Sequence, residues 1–253
     1  MPFSLAYALK TDPGQVRPLN EDAVGADPDA GLFILADGLG GYNAGEVAST
    51  MAVSALLADL PADFLAAHQA AQPFDPARTL RERLTALNGA IFRAALNSAA
   101  FEGMATTIVV AWFLGDRLWV AHAGDSRLYR LRAGQLEQLT RDHSFSQELL
   151  DAGMVTAEEA RVLPAKNLVT RALGASAELD PEVHEHSLES GDLILLCSDG
   201  LTEMIDTPEI GSVLSATADD VHEAAQRLVK RANEAGGRDN VSVVVVAVRG
   251  GCA

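Results

Sequence analysis

Apolar positions along the chain recur with two different periods. From Glu46 to Leu60, Val47, Met51, Val53, Leu56 and Leu57 follow a 3.6-residue repeat that Pro61 is expected to stop. A second helical stripe over 77–100 is marked by Leu80, Leu84, Leu87, Ile91 and Leu96, and a third over 220–233 by Val221, Ala225, Leu228 and Val229. Between the first two, residues 61–77 look like an ordinary connection. Short β-branched or apolar runs predict strands at Leu32–Ala36, Thr107–Phe113, Leu118–Ala123, Arg127–Leu131, Leu193–Cys197 and Val241–Val248. Gly115-Asp116 and Ala133-Gly134 punctuate the middle group like hairpin turns, so 106–139 is expected to be an antiparallel meander. Strand runs and helix runs segregate, which points to an α+β layered fold rather than a doubly wound parallel sheet. No repeat or linker divides the 253 residues, so one domain over 1–253 is expected.

The strands end in a particular way. In ILADGLGG (34–41) an apolar run meets Asp37 and then gives up its side chains at Gly38, Gly40 and Gly41. Alone, that is a turn signal. However, Asp125 follows the run Leu118–Ala123, Asp199 follows Leu193–Cys197, Asp239 precedes Val241–Val248, and Asn20-Glu21-Asp22 precede Ala23-Val24. Acids at so many strand ends suggest a shared rim. Two carboxylates about 4 Å apart repel by about 4 kcal/mol at an effective dielectric near 20. Such a rim must hold protons or cations, and an all-oxygen donor set without His or Cys selects Mg²⁺ or Mn²⁺. The glycines then allow close backbone approach, with the Gly38 carbonyl as a further oxygen donor.

Charge and cysteine content narrow the classes. A net charge of −16 disfavours nucleic acid and anionic lipid as partners. No uncharged apolar run approaches the roughly 20 residues of a membrane span, and no basic segment precedes the first apolar residues. With only Cys197 and Cys252, a disulfide framework is not expected, and the cytoplasm is the natural location.

Eight segments in order, RPLNED (17–22), ADGLGG (36–41), GMATT (103–107), AGDSR (123–127), LTRDHS (139–144), LVTRALG (168–174), CSDGL (197–201) and GRDNVSVVVV (237–246), resemble the metal-dependent serine/threonine protein phosphatases of type 2C in their compact bacterial form. The resemblance implies a central β-sandwich of two antiparallel sheets flanked by helices, with a flap at about 144–166. It implies that Asp37 bridges two Mn²⁺ or Mg²⁺ ions. Asp199 and Asp239 complete one site, and Asp22 with the Gly38 carbonyl completes the other. Arg17 grips the substrate phosphate, Glu21 and Asn240 stand behind the ligands, and Asp125 with Asp199 holds a weaker third ion. The implied reaction is hydrolysis of phosphoserine or phosphothreonine by a hydroxide shared between the ions, with no side-chain nucleophile. The implied partners are phosphoproteins, a Ser/Thr kinase and its targets; the sequence itself does not fix the oligomeric state, for which a monomer is the expectation.

One departure stands out: Leu39 occupies the position where many members carry a histidine proposed as general acid. His143 and His122 read as structural, Thr106 and Thr107 as packing or local hydrogen-bonding residues, and Ser126 has no placed histidine to activate it. For Asp125 the plain alternative is a turn residue capping Arg127 or a nearby amide. Two other classes are a phosphoprotein-binding module without catalysis and a metal-dependent phosphodiesterase. A binding module has no need of Arg17 together with all four acids Asp22, Asp37, Asp199 and Asp239, and the acidity weighs against a polymer substrate.

Overall fold

The computed structural model describes residues 3–40, 44–165 and 168–250. Gly41, Lys166 at the end of the expected flap, and Cys252 lie outside them. In chain order the first half comprises β1 (Phe3–Asp12), β2 (Ala23–Asp27), β3 (Leu32–Ala36), β4 (Gly38–Leu39), α1 (Ala44–Gln69), α2 (Pro76–Asn97), β5 (Ala105–Thr106), β6 (Ile108–Leu114) and β7 (Arg117–Ala123). The second comprises β8 (Arg127–Arg132), β9 (Gln135–Gln138), α3 (Phe145–Asp151), α4 (Ala157–Val162), β10 (Glu182–Ser187), β11 (Leu193–Cys197), α5 (Asp199–Thr202), α6 (Thr207–Ala216), α7 (Val221–Glu234) and β12 (Val241–Gly250).

Two five-stranded antiparallel sheets, ordered β1-β12-β11-β8-β9 and β10-β7-β6-β3-β2, face each other. Strand alternation decides which layer each residue joins. On β12, Val244, Val246 and Val248 enter the core between the sheets, while Val243, Val245 and Ala247 pack under α7. On β3, Phe33 and Leu35 face inward, while Leu32, Ile34 and Ala36 pack under α1 and α2. Both faces of these strands are covered, which is why they read as unbroken apolar runs. Full burial of each such side chain contributes about 1.5–3 kcal/mol. The fold is the expected α+β sandwich flanked by helices.

Several details differ from the sequence reading. The first helix does not stop at Pro61 but runs to Gln69. Proline removes one helical hydrogen bond, yet Arg83 of α2 binds Asp59 and Asp63 on either side of it. Phe64, one turn further on, packs edge-on against Phe74 at 5.2 Å. The core-facing line of α1 is Ala48, Ala52, Leu56 and Leu60, and Val47 points outward. α1 is long and apolar enough to cross a membrane by length and composition, but that alanine and leucine line packs against the sheet. α2 begins at Pro76 behind the cap Asp75 and ends at Asn97, leaving Leu96 exposed. Residues 106–139 are not one meander. β6–β7 and β8–β9 are hairpins in different sheets, and the chain crosses from one sheet to the other at 124–126. β1 and β10 are not among the strands that the sequence predicts.

Candidate metal centre

The crossing point, the loops after β3 and β11, and the loop before β12 share one end of the sandwich, and each delivers an acid there. Asp37 is set by its backbone: its N–H donates to Thr107 Oγ1 at 3.0 Å, and its carbonyl accepts from Thr107 N at 2.8 Å and Thr106 Oγ1 at 2.8 Å. Thr107 Oγ1 also lies 2.7 Å from Ser126 Oγ, so a single hydroxyl ties the Asp37 loop to the Asp125 crossing. Gly38 is needed for space. A Cβ there would lie 2.3 Å from Gly45 O and 2.5 Å from Glu21 O.

Asp22 accepts from Ser198 Oγ at 2.9 Å through one carboxylate oxygen, while the other, Oδ1, is buried without a partner. Ser198 Oγ in turn accepts from Ser242 N at 3.0 Å. Asn240 holds the entering segment: its side chain donates to Pro13 O at 3.0 Å and Leu19 O at 2.8 Å and accepts from Glu21 N at 2.8 Å. Glu21 is half-buried with Oε1 unpartnered, and burial raises its pKa. Asp239 accepts from its neighbour Asn240 N at 2.9 Å and from Arg17 Nη2 at 2.6 Å. Arg17 is 52% exposed. It stands at the rim, paired with a candidate ligand 222 residues away.

The electrostatics express the crowding. Burial, then Asp22, Asp199, Asp125 and Asp239, push the Asp37 carboxyl well above its ordinary range. Burial, then Asp125 and Asp239, do the same to Asp199. Asp22 rises to about 6, because burial outweighs the polar groups beside it, the Ser198 hydroxyl among them. Asp125, 8% exposed, rises to about 7 through burial and then Asp142. Arg127 does not depend on Asp125 for a cap, because its guanidinium makes three hydrogen bonds to Asp142 at 2.6–3.0 Å. The residues present fit divalent cations: all donors are oxygens, the acids are crowded enough to retain protons on their own, and Asp22 Oδ1 is a buried acceptor without a donor.

Beside Asp125 and Asp199 opens a groove of about 630 Å³ between α3–α4 and α5–α6, lined also by Asp142, Glu203 and Asp206. Cys197 is buried in β11 with its thiol pushed up to about 12, which removes it as a nucleophile. His122 and His143 are buried and stacked 4.8 Å apart, and burial lowers both pKa values, that of His122 to about 4. Thr107 is the hydrogen-bonding residue expected, while the scaffold roles of Ser198 and Ser242 are not among the sequence expectations. The sequence signal for Ser198 and Ser242 is a serine beside or near an acid, as in CSDGL and DNVSV.

The family model described as Protein phosphatase 2C matches residues 15–241. The serine/threonine protein phosphatase PstP of Mycobacterium tuberculosis is 41% identical over 248 residues, which are 96% of this chain and 45% of PstP. The chain thus spans less than half the length of that relative. Protein phosphatase PhpP of Streptococcus pneumoniae is 38% identical over 251 residues, 96% of this chain and 98% of PhpP. The crystal structure of the PstP catalytic domain in complex with two manganese ions superposes with a TM-score of 0.84 at 40% identity, covering 98% of this chain and 99% of that one.

Proposed function

Because the chain belongs to the protein phosphatase 2C family, we propose that it removes phosphate from phosphoserine and phosphothreonine in proteins. It would act in the cytoplasm on targets of a Ser/Thr kinase, as one catalytic domain over 1–253 with a flap at about 144–166. Asp22 and the Gly38 carbonyl would hold one Mn²⁺ or Mg²⁺ and Asp199 and Asp239 another, with Asp37 contributing to both. Asp125 with Asp199 takes a weaker third ion. The observation that carries this reading is the convergence of Asp22, Asp37 and Asp199, all with raised pKa values, around a buried acceptor that lacks a donor. When bound, such a pair of ions lowers the pKa of water and draws off phosphoryl charge.

The chain's own residues supply the rest. Arg17 offers a planar fork to two phosphate oxygens. Its present partner Asp239 is a proposed ligand, so with a cation held at Asp239 the guanidinium would be left to phosphate. Asn240 and Glu21 keep the 13–22 segment in place. The groove beside Asp125 gives the polypeptide on one side of the phosphorylated residue somewhere to lie. The test compares Mn²⁺-dependent phosphate release from phosphothreonine and phosphotyrosine peptides and from an aryl phosphodiester. Preference for phosphothreonine supports the proposal. Exclusive action on the diester or on phosphotyrosine overturns it, and so does phosphopeptide binding without release.

A further inference from the structure

His122, His143 and Glu182 cluster behind the Asp125 crossing, with possible ligand atoms all within 4.8 Å of one another. They make a poor cation site. A metal lies in the plane of every imidazole it binds, and these two rings are stacked with only 8° between their planes, so their lone pairs do not converge. Arg171 adds a guanidinium 3.4 Å from His143 Nε2.

What the cluster holds is Gly124. The Gly124 N–H donates to His143 Nδ1 at 3.2 Å, and the Gly124 carbonyl accepts the His143 backbone N–H at 2.9 Å. Both backbone groups of the residue before Asp125 are therefore taken by one side chain and its own amide. On its other side Gly124 lies close against Thr107: with φ at +116°, a Cβ would lie 2.6 Å from Thr107 Cβ, so no side chain fits there. Accepting at Nδ1 requires the His143 proton on Nε2, and there Glu182 Oε1 receives it at 3.1 Å. His122 completes the support by stacking on the ring and bonding Arg141 O through Nε2 at 2.8 Å.

We propose that His143, in the tautomer selected by Glu182, is a positioning residue for Asp125, pinning Gly124 so that the next carboxylate stays at the weak cation site beside Asp199. The inference rests on the role given to Asp125 above. Residues that orient metal ligands typically carry 10–100-fold in metal affinity.

The experiment uses the full chain and Mn²⁺ titration calorimetry, with thermal unfolding to confirm folding. His143→Phe keeps a ring against His122 but has no acceptor for Gly124. His143→Asn restores an acceptor oxygen close to the Nδ1 position. The expected result is that His143→Phe keeps the two tight Mn²⁺ events, weakens the third about tenfold or more, and loses more rate on a phosphothreonine peptide than on an aryl phosphate. His143→Asn should recover most of the third event, and Asp125→Ala should abolish it. An unchanged third event in His143→Phe, with loss in Asp125→Ala, overturns the positioning role and leaves Asp125 in place. An unchanged third event in Asp125→Ala overturns both. Should His143→Phe not fold, Glu182→Ala removes the tautomer partner and leaves the imidazole itself in place. A weakened third event there supports the role, and an unchanged one overturns it.

Discussion

Asp37→Asn is the substitution on which stability and function should part company most clearly. Asp37 is the acid on which burial and four neighbouring aspartates press together. Without cations, the asparagine removes a repulsion of about 4 kcal/mol for each carboxylate at about 4 Å, at an effective dielectric near 20. Asp37 and Asp199 keep part of their surface in solvent, which screens these repulsions, so the net gain is on the order of one of them, about 4 kcal/mol or less. At this chain length each kcal/mol shifts the melting temperature by about 2–4 °C.

The pH dependence has a definite sign. These carboxylates have folded-state pKa values above their unfolded ones, so the folded state binds more protons, and stability falls as pH rises through the folded values. With Asp22 near 6 and Asp125 near 7, the metal-free wild type loses stability between about pH 4 and pH 7. Asp37, held well above its ordinary range, adds its own loss over this rise in pH, and asparagine removes that part, so the metal-free Asn variant should melt further above wild type at pH 8 than at pH 5. Mn²⁺ should invert the order, because a cation at 100 times its Kd stabilises the wild type by about 2.7 kcal/mol. Scanning calorimetry at both pH values, with chelator and with Mn²⁺, reads all four conditions. A variant less stable than wild type at pH 8 without metal, or equally stabilised by Mn²⁺, would refute the reasoning.

Arg17→Lys keeps the charge but loses the fork, so inhibition by inorganic phosphate should weaken by about 1.5–3 kcal/mol; unchanged inhibition would mean that Arg17 does not touch phosphate. Asp239→Asn should leave the protein folded by circular dichroism and abolish turnover at saturating Mn²⁺; more than a few per cent of the wild-type rate would remove Asp239 from the ligands. Asp125→Ala should slow a phosphothreonine peptide, whose alkoxide leaving group needs a proton, more than an aryl phosphate, whose phenolate does not; equal losses would return Asp125 to a turn role.

The legible parts of the chain are those whose signal is local. β3, β11 and β12 announce themselves because both of their faces are buried. The acids stand out because each interrupts or borders such a run. β1 was not legible because its order comes from a ten-residue register with β12, from Phe3↔Gly250 to Asp12↔Val241. β10, EVHEHS, is a polar edge strand whose conformation is imposed by β7. Pro61 misled because the groups that carry the helix past it, Arg83 and Phe74, lie elsewhere in the chain. Turn spacing alone also could not show that the chain changes sheets at Gly124–Ser126. That crossing brings Asp125 to Asp199, so the acid that was hardest to interpret from sequence depends on the least local feature of the fold.

The most direct measurement is phosphate release from a phosphothreonine peptide by the exhaustively metal-stripped protein, before and after Mn²⁺ is restored. No release without metal, and turnover that rises as Mn²⁺ fills two sites per chain, is the predicted result. Undiminished release from the stripped protein, or none from a protein that binds both Mn²⁺ and peptide, would contradict a two-cation phosphatase centre built from Asp22, Asp37, Gly38, Asp199 and Asp239.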